Sequence, residues 1–181
     1  MCGGRGTRLD APIEKPRLEI GGVPMIDRVI GALAGSDVGE IYAVGSPATP
    51  ATLAHVDRPV IDGPGEGYVA DLDAALSEVE PPVLTLGADL PLLTADGVDW
   101  VLETYRGGSA MVAVPVARKR ALGISVDASM THEGQPVAPS GVNVVGDPTP
   151  EATLMTDRSQ FAVNVNRPGD AQIAEALLDG R

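Results

Sequence analysis

The chain opens with the stretch MCGGRGTR, residues 1–8, and continues a short distance later with EKP, residues 14–16. Glycine is frequent in this stretch, and glycine lets backbone N–H groups approach an anion closely. Arg5, Arg8 and Lys15 supply positive charge that neutralises such an anion. The opening stretch therefore predicts a loop that binds phosphate.

Two common phosphate-binding loops do not match this spacing. A P-loop closes with Gly-Lys-Ser/Thr and a dinucleotide-binding loop requires G-x-G-x-x-G after a strand, and the stretch has neither pattern. What remains is G-G-x-G-T-R followed by a lysine before proline. This pattern resembles that of the nucleotidyltransferases, which move a nucleoside monophosphate from an NTP to an acceptor and release pyrophosphate. The alternative is a glycine-rich terminus that carries arginines without such a function.

Length and composition favour one soluble domain. The chain has 181 residues, of which 44% are hydrophobic, and we expect a single domain over residues 1–181. No apolar run approaches the roughly 18 residues that a membrane span requires. Cys2 is the single cysteine, so an internal disulfide is excluded, and the start lacks the pattern of a signal peptide. These features predict a cytoplasmic protein.

The chain is strongly acidic, with a formal net charge of -12 from 25 acidic and 13 basic residues. Lys15 and Lys119 are its lysines. An acidic surface nearly free of lysine is typical of proteins in a salty cytoplasm, so we expect a halophilic source. The same charge argues against nucleic acid as a partner. A lysine that is kept beside a phosphate loop, as Lys15 is, is expected to be functional.

Hydrophobic periodicity predicts alternating strands and helices, and therefore a mostly parallel sheet with helices on both faces. Residues 117–136 are expected to be polar and irregular. Helices are predicted over residues 24–36, 69–78, 94–105 and 168–178, and strands over residues 40–44, 58–61, 83–87, 109–115, 137–145 and 161–166.

Two loops that follow predicted strands carry ligand-binding signals. The first, SPATPAT at residues 46–52, offers hydroxyl groups, but Thr49 followed by Pro50 also fits the start of a helix. Helix capping and ligand contact both explain it. The second, DGPGEGY at residues 62–68, has three glycines, where a plain turn into a helix explains one. We interpret it as a loop that lets a flat base lie against the backbone.

A carboxylate follows the most strand-like run of the chain, VLTLG at residues 83–87. Asp89 would then lie beyond the carboxyl end of a central strand, where open α/β sheets bind ligands. We predict that Asp89 holds a divalent cation against triphosphate oxygens; capping of the next helix is the alternative. Asn164 and Asn166 lie on one face of a predicted strand. Asparagine is unfavourable in strands, so the two residues indicate either a polar function or a turn.

The motifs together resemble one enzyme family. The chain is similar to the archaeal GTP:adenosylcobinamide-phosphate guanylyltransferases, relatives of the molybdenum-cofactor guanylyltransferases, in the order of GGRGTR, EKP, SPATPAT, GEGYVADL, ADLP, PSGVNVV and FAVNVN. The resemblance implies a Rossmann-like, three-layer α/β/α fold of the nucleotide-diphospho-sugar transferase type. It also implies transfer of GMP from GTP to adenosylcobinamide phosphate, with release of pyrophosphate, during cobalamin assembly.

The resemblance implies roles for individual residues. The triphosphate of GTP would be bound by Gly3, Gly4, Gly6 and Thr7. Guanosine would be held by Ser46, Thr49, Gly65, Gly67 and Tyr68. Asp89 and Asn166 would bind Mg²⁺ at the α-phosphate, and the predicted catalytic residues are Arg8, Lys15 and Asp89. No side chain need act as nucleophile or base, because the attacking phosphate is already an anion.

The start of the chain departs from the family pattern. In the family an apolar strand leads into the glycine-rich loop, whereas here Met1 and Cys2 alone precede Gly3. A sheet without that strand exposes backbone groups, so we expect further apolar residues upstream of Met1. The alternative functions are molybdenum-cofactor or phospholactate guanylyl transfer and a non-catalytic nucleotide-binding regulatory domain. A homodimer is possible in each case.

Overall fold

The computed structural model describes residues 1–3, 9 and 13–180 of the chain. Five residues that the sequence assigns to the phosphate loop, Gly4, Arg5, Gly6, Thr7 and Arg8, lie outside the described residues. Their roles stay predictions. Among the helices of the described ranges, none is long and apolar enough to cross a membrane.

Helices and strands alternate along most of the described chain. The helices are α1 (Met25–Ala34), α2 (Pro50–His55), α3 (Tyr68–Leu76), α4 (Ala95–Thr104), α5 (Val116–Leu122), α6 (Ser159–Ala162) and α7 (Pro168–Asp179), and a short 3-10 helix covers Lys15–Arg17. The strands are β1 (Glu19–Ile20), β2 (Val23–Pro24), β3 (Ala43–Gly45), β4 (Val60–Asp62), β5 (Val83–Leu86), β6 (Ser109–Pro115), β7 (Met130–His132), β8 (Gln135–Val145) and β9 (Glu151–Met155).

The largest sheet has the strand order β5-β8-β6-β9, with β7 pairing to β8. Strand β8 is antiparallel to β5 and to β6, whereas β6 and β9 are parallel. Strands β5, β6 and β9 therefore share one direction, and β8 is reversed among them. The pair β3–β4 is also parallel, and β1–β2 is a hairpin. The predicted α/β fold class is confirmed; the antiparallel pairs of the described strands are the β1–β2 hairpin and the three pairs that include β8.

The main core joins this sheet to α1 and α4. Val98 and Val101 of α4 are buried with Val29 of α1, Val112 of β6 and Val142 of β8. Three-residue spacing puts the α4 valines on one face of the helix. Full burial of such side chains stabilises the fold by about 1.5 to 3 kcal/mol each. Val29 thus joins α1 to the same core as α4 and the sheet.

Met1 and Cys2 connect β3 to β5. The N–H group of Cys2 donates to the Val44 carbonyl at 2.7 Å. The Met1 amino group donates to the Leu86 carbonyl at 2.9 Å, and the Ala88 N–H donates to the Met1 carbonyl at 3.2 Å. The last two bonds are the pattern of a parallel strand beside β5. Met1 and Cys2 therefore occupy a strand position between the two sheets.

A cavity of about 580 Å³ adjoins this strand position. It is lined on the β3 and β5 sides by strand residues, and by apolar side chains of α1 and α3 that include Ile30, Leu33, Leu72 and Leu76. The cavity therefore has the surroundings of a buried central strand. That further apolar residues precede Met1 stays a prediction.

Two sequence-based assignments are wrong. Residues 161–166, predicted as a strand, contain the end of α6 and then irregular backbone. Phe161 packs against Trp100, with ring centroids 5.5 Å apart, and the Val165 N–H donates to the Asp89 carbonyl, so this segment is fixed by the core and not by a strand ladder. Residues 117–136, expected to be irregular, contain most of α5 and all of β7. The buried face of α5 is formed by Val116 and Lys119. Because one of these buried residues is a lysine, the sequence lacks the apolar periodicity by which a helix is predicted.

Candidate active site

One cavity of about 630 Å³ brings together most of the described residues that the sequence predicts as functional. They come from the start of the chain, from the loop before α3, from the end of β5 and from the segment before α7. They are Gly3, Lys15, Gly65, Gly67, Tyr68, Asp89 and Asn166. This convergence is what an active site requires, since the residues are far apart in the sequence.

Lys15 lies between Asp89 and Asn166. Its Nζ atom donates to Asp89 Oδ2 at 2.6 Å and to Asn166 Oδ1 at 2.7 Å. The side chains of Lys15 and Asp89 are 17% and 21% exposed, so the ion pair is accessible from the cavity without being fully solvated. A charged pair of this kind is strengthened by partial burial.

Asp170 of α7 fixes the backbone of Asn166 by hydrogen bonds. Its Oδ2 atom accepts hydrogen bonds from the N–H groups of Asn166 at 3.0 Å and Arg167 at 2.9 Å. The same carboxylate accepts from the N–H and hydroxyl groups of Ser125, both at 2.8 Å. Asp170 is 2% exposed. It therefore fixes two sides of the cavity, Asn166 and Ser125, from behind.

Glu14 anchors the segment that carries Lys15. Its carboxylate accepts hydrogen bonds from the Ala51 N–H at 2.9 Å and from the N–H and hydroxyl of Thr52, both at 2.6 Å, at the start of α2. Burial would raise the pKa of Glu14, but these bonds and the charge of Arg17 lower the pKa below its ordinary value. Glu14 thus caps α2 from a distant part of the chain.

The glycine-rich loop before α3 is wrapped around Asp71. The Asp71 Oδ1 atom accepts a hydrogen bond from the Gly65 N–H at 2.8 Å. A side chain at Gly63 would come within 2.6 Å of both Asp71 Oδ1 and the Gly45 carbonyl oxygen. Gly65 and Gly67 have φ values of 76° and 125°, which favour glycine. Part of the glycine content is therefore structural, and Asp71 is the residue that this loop packs against.

Ser46 and Thr49, predicted to contact guanosine, do not line this cavity. They are 2% and 1% exposed, respectively. The Ser46 hydroxyl donates to the Gly3 carbonyl at 2.9 Å, and the Thr49 hydroxyl pairs with the Ser46 backbone at 3.3 Å and makes no capping bond to α2. Both hydroxyls therefore stabilise the loop beside Gly3. Direct contact of either residue with guanosine stays a prediction.

Lys119, which received no role from the sequence, also lines the cavity. Its Nζ atom donates to Asn164 Oδ1 at 2.9 Å, and Asn164 Nδ2 donates to the Ser140 carbonyl at 2.7 Å. Burial lowers the pKa of Lys119, while Asp170, Asp89 and Asp127 oppose that shift. The scarcity of lysine was the sequence signal that could have identified Lys119. The chain has two lysines, and both line this cavity.

Asp89 and Asn166 supply oxygen donors that fit a divalent cation. Both oxygens already converge on one positive charge, the ammonium of Lys15. Carboxylate and amide oxygens are ligands that magnesium accepts, with phosphate oxygens and waters in the other positions. Within the described residues no group of three or more His, Cys, Asp or Glu side chains could hold a metal ion.

The fold and the cavity together define a protein of the nucleotidyltransferase class. The structure resembles a putative glucose-1-phosphate thymidylyltransferase of Bacillus anthracis, with a TM-score of 0.74 and 13% identity over 97% of this chain and 92% of that one. It also resembles a hypothetical transferase of Thermus thermophilus, with a TM-score of 0.71 and 16% identity over 94% and 96% of the two chains. Residues 1–141 match the MobA-like NTP transferase domain, and the chain belongs to that family.

Sequence comparison finds a relative of nearly the same length. The adenosylcobinamide-phosphate guanylyltransferase of Methanocaldococcus jannaschii is 29% identical over 98% of this chain and 95% of its own length. A segment covering 63% of the chain is 32% identical to part of the bifunctional protein GlmU of Maricaulis maris. The first match agrees with the resemblance that the sequence motifs indicate, and that resemblance is confirmed.

Proposed function

We propose that this protein transfers GMP from GTP to adenosylcobinamide phosphate, giving adenosylcobinamide-GDP and pyrophosphate in cobalamin assembly. The observation that carries the proposal is the contact of Lys15 with both Asp89 and Asn166 in one cavity with the Gly65–Tyr68 loop. The Methanocaldococcus jannaschii relative, which aligns with nearly the whole chain, supports the choice of substrates.

In the proposed reaction, a phosphate oxygen of the acceptor attacks the α-phosphorus of GTP. A new P–O bond forms there, the bond from the α-phosphorus to the oxygen bridging to the β-phosphate breaks, and pyrophosphate leaves with that electron pair. No protein base is needed because the attacking oxygen is already anionic. Catalysis then consists of alignment and of offsetting negative charge.

Lys15, Asp89 and Asn166 are assigned to charge control. A divalent cation bound by Asp89 and Asn166, for which we propose Mg²⁺, would neutralise the phosphate oxygens around the α-phosphorus. The ammonium of Lys15 is then free to hydrogen-bond the phosphates of GTP. The Gly65–Tyr68 loop is proposed to hold the guanosine, and Ser46 to support the triphosphate loop through the Gly3 carbonyl. Archaeal origin and adaptation to high salt, cytoplasmic location and a homodimer stay predictions.

The proposal is tested by pyrophosphate release from GTP, with Mg²⁺ and high salt, in the presence and absence of adenosylcobinamide phosphate. Release that depends on the corrinoid is the expected result. Release only with molybdopterin or phospholactate would assign a different acceptor. No release with any acceptor, although GTP binds in calorimetry, would contradict catalysis and favour a regulatory nucleotide-binding domain.

A further inference from the structure

Lys119 and Lys15 are the two lysines of this acidic chain, and the fold brings both to one cavity. They reach it from different elements, the 3-10 helix Lys15–Arg17 and α5. Each ammonium donates to the side-chain oxygen of an asparagine: Lys15 to Asn166, and Lys119 to Asn164. Each of the two asparagines that the sequence analysis identified is therefore hydrogen-bonded to one of the two lysines.

The pair of Lys119 and Asn164 is rigidly built. Lys119 is 4% exposed, and its Nζ atom donates to Asn164 Oδ1 at 2.9 Å. The Asn164 amide nitrogen donates to the Ser140 carbonyl at 2.7 Å, which directs its oxygen towards the lysine. An ammonium group has three N–H donors, and the bond to Asn164 uses one of them. Lys119 therefore has donors to offer at the cavity wall.

Keeping a lysine here is unfavourable for the fold alone. Burial lowers the pKa of Lys119 because the charged form is desolvated, and an apolar side chain in this position would avoid that cost. The charge is sustained by three carboxylates, Asp170, Asp89 and Asp127. A desolvated ammonium group that lines a cavity is a candidate for binding an anionic ligand.

The chemistry of the proposed reaction supplies that ligand. Two anionic phosphate groups must approach each other, in a cavity whose walls also carry Glu66, Asp71, Asp89 and Asp127. Each substrate phosphate therefore needs its own cation. Lys15 contacts both predicted metal ligands and is assigned to the phosphates of GTP. Among the described residues that line the cavity, Lys119 is the other cationic side chain, and it is assigned to the second phosphate.

We propose that Lys119, oriented by Asn164, binds the phosphate monoester of the acceptor substrate. This inference rests on the proposed function and adds a second phosphate subsite to it, formed by α5 and by the segment before α7. Ser125 and Asp127, which follow α5, line the same cavity, so this side of it is assigned to the acceptor.

The lysine content permits a direct test by NMR. Protein labelled with ¹³C only at the lysine ε-carbons should give two signals, assigned by the loss of one signal in Lys119→Met or of the other in Lys15→Arg. Adding adenosylcobinamide phosphate is expected to shift the Lys119 signal, and adding GTP with Mg²⁺ is expected to shift mainly the Lys15 signal. An acceptor that is turned over but leaves the Lys119 signal in place would overturn the inference.

Failure of the proposed function gives a different pattern. If no acceptor supports pyrophosphate release, inorganic phosphate is titrated instead. A shift of Lys119 alone would then keep the phosphate subsite although the proposed acceptor is wrong. If neither phosphate nor any phosphorylated acceptor shifts the Lys119 signal, both the phosphate subsite and the proposed function are contradicted.

Kinetics give an independent readout with a matched control. Lys119→Met is expected to raise the KM for adenosylcobinamide phosphate about 10- to 100-fold, the effect of losing a hydrogen bond from a charged group, with the KM for GTP nearly unchanged. Arg120→Met removes the same charge from the exposed side of α5 and should change neither constant. Lys119→Arg is expected to recover part of the acceptor affinity. Equal weakening of GTP and acceptor binding in Lys119→Met would contradict an acceptor-specific subsite.

Discussion

The Nζ atom of Lys15 lies 2.6 Å from Asp89 Oδ2, so the predicted metal ligand is paired with a cation of the protein itself. Asn166 contacts the same ammonium at 2.7 Å. An ammonium and a divalent cation cannot share this place. We therefore predict an exchange: a divalent cation held by Asp89 and Asn166 would take the place of the Lys15 ammonium, which would then contact the phosphates of GTP.

Removing the ammonium tests this exchange. In Lys15→Met, Asp89 loses its positive partner, so Mn²⁺ used as a Mg²⁺ probe should bind the GTP-free protein more tightly, by about tenfold. Pyrophosphate release should fall about 100-fold or more, because charge on the phosphates is no longer offset. Calorimetry and the release assay measure the two effects, with Arg120→Met as control. Unchanged Mn²⁺ affinity would show that Lys15 and the metal do not compete.

Asp89 itself is tested by an isosteric change. Asp89→Asn keeps the shape but removes the charge, so turnover should fall about 100-fold or more while GTP measured without metal still binds. Asp96→Asn changes an exposed carboxylate on α4, away from the cavity, and should have no effect. Loss of metal-free GTP binding in Asp89→Asn alone would mean that Asp89 serves nucleotide binding and not the metal.

The residues predicted from the sequence are those whose chemistry is local to a motif. Lys15 and Asp89 follow recognisable loop and strand patterns, and the structure places them in contact. Asp170 and Lys119 were not found because their partners lie far away in the chain, at Ser125 and Asn164. Hydrophobic periodicity also gave a wrong prediction where tertiary contacts determine the backbone conformation. Phe161, for example, lies in a short helix instead of the predicted strand.

Asp170 is predicted to be a positioning residue. In Asp170→Asn, one of the two buried oxygens becomes an NH₂ group, which faces either the Ser125 N–H or the N–H groups of Asn166 and Arg167, so the free energy of unfolding should fall by about 1 to 3 kcal/mol. Turnover should fall because the backbone of Asn166 is no longer fixed, so its side chain is no longer held in place next to Lys15. Denaturant unfolding and kinetics at a temperature where the variant is folded separate the effects. Wild-type turnover in the folded variant would contradict the positioning role.

Glu14 should make stability depend on pH in a defined direction. Its pKa is lowered from 4.5 in the folded protein, so its stabilising effect is complete above the unfolded-state pKa and is lost as pH falls through the folded-state pKa. Glu14→Gln should therefore be less stable than wild type at pH 7, and the difference should shrink below pH of about 4. Denaturant unfolding across this range measures it, with exposed Glu19→Gln as control. A difference that is constant with pH would exclude the carboxylate charge as the cause.

The space between β3 and β5 leads to a prediction about the start of the chain. Leu86 directs its carbonyl to Met1, and because strand residues alternate in direction, Leu84 directs its backbone groups to the same edge. Apolar residues added ahead of Met1 could pair with this edge and fill the cavity of about 580 Å³ between α1 and α3.

A chain extended upstream by five apolar, β-branched residues should then unfold with a free energy higher by on the order of 3 kcal/mol, the balance of side-chain burial and ordering entropy. Denaturant unfolding measures this, and an extension of five Gly and Ser residues is the control, since it adds backbone without apolar burial. The mass of the protein from its native locus shows whether such residues occur naturally. Equal stability of both extended chains and the unextended one would mean that the cavity does not accept a strand.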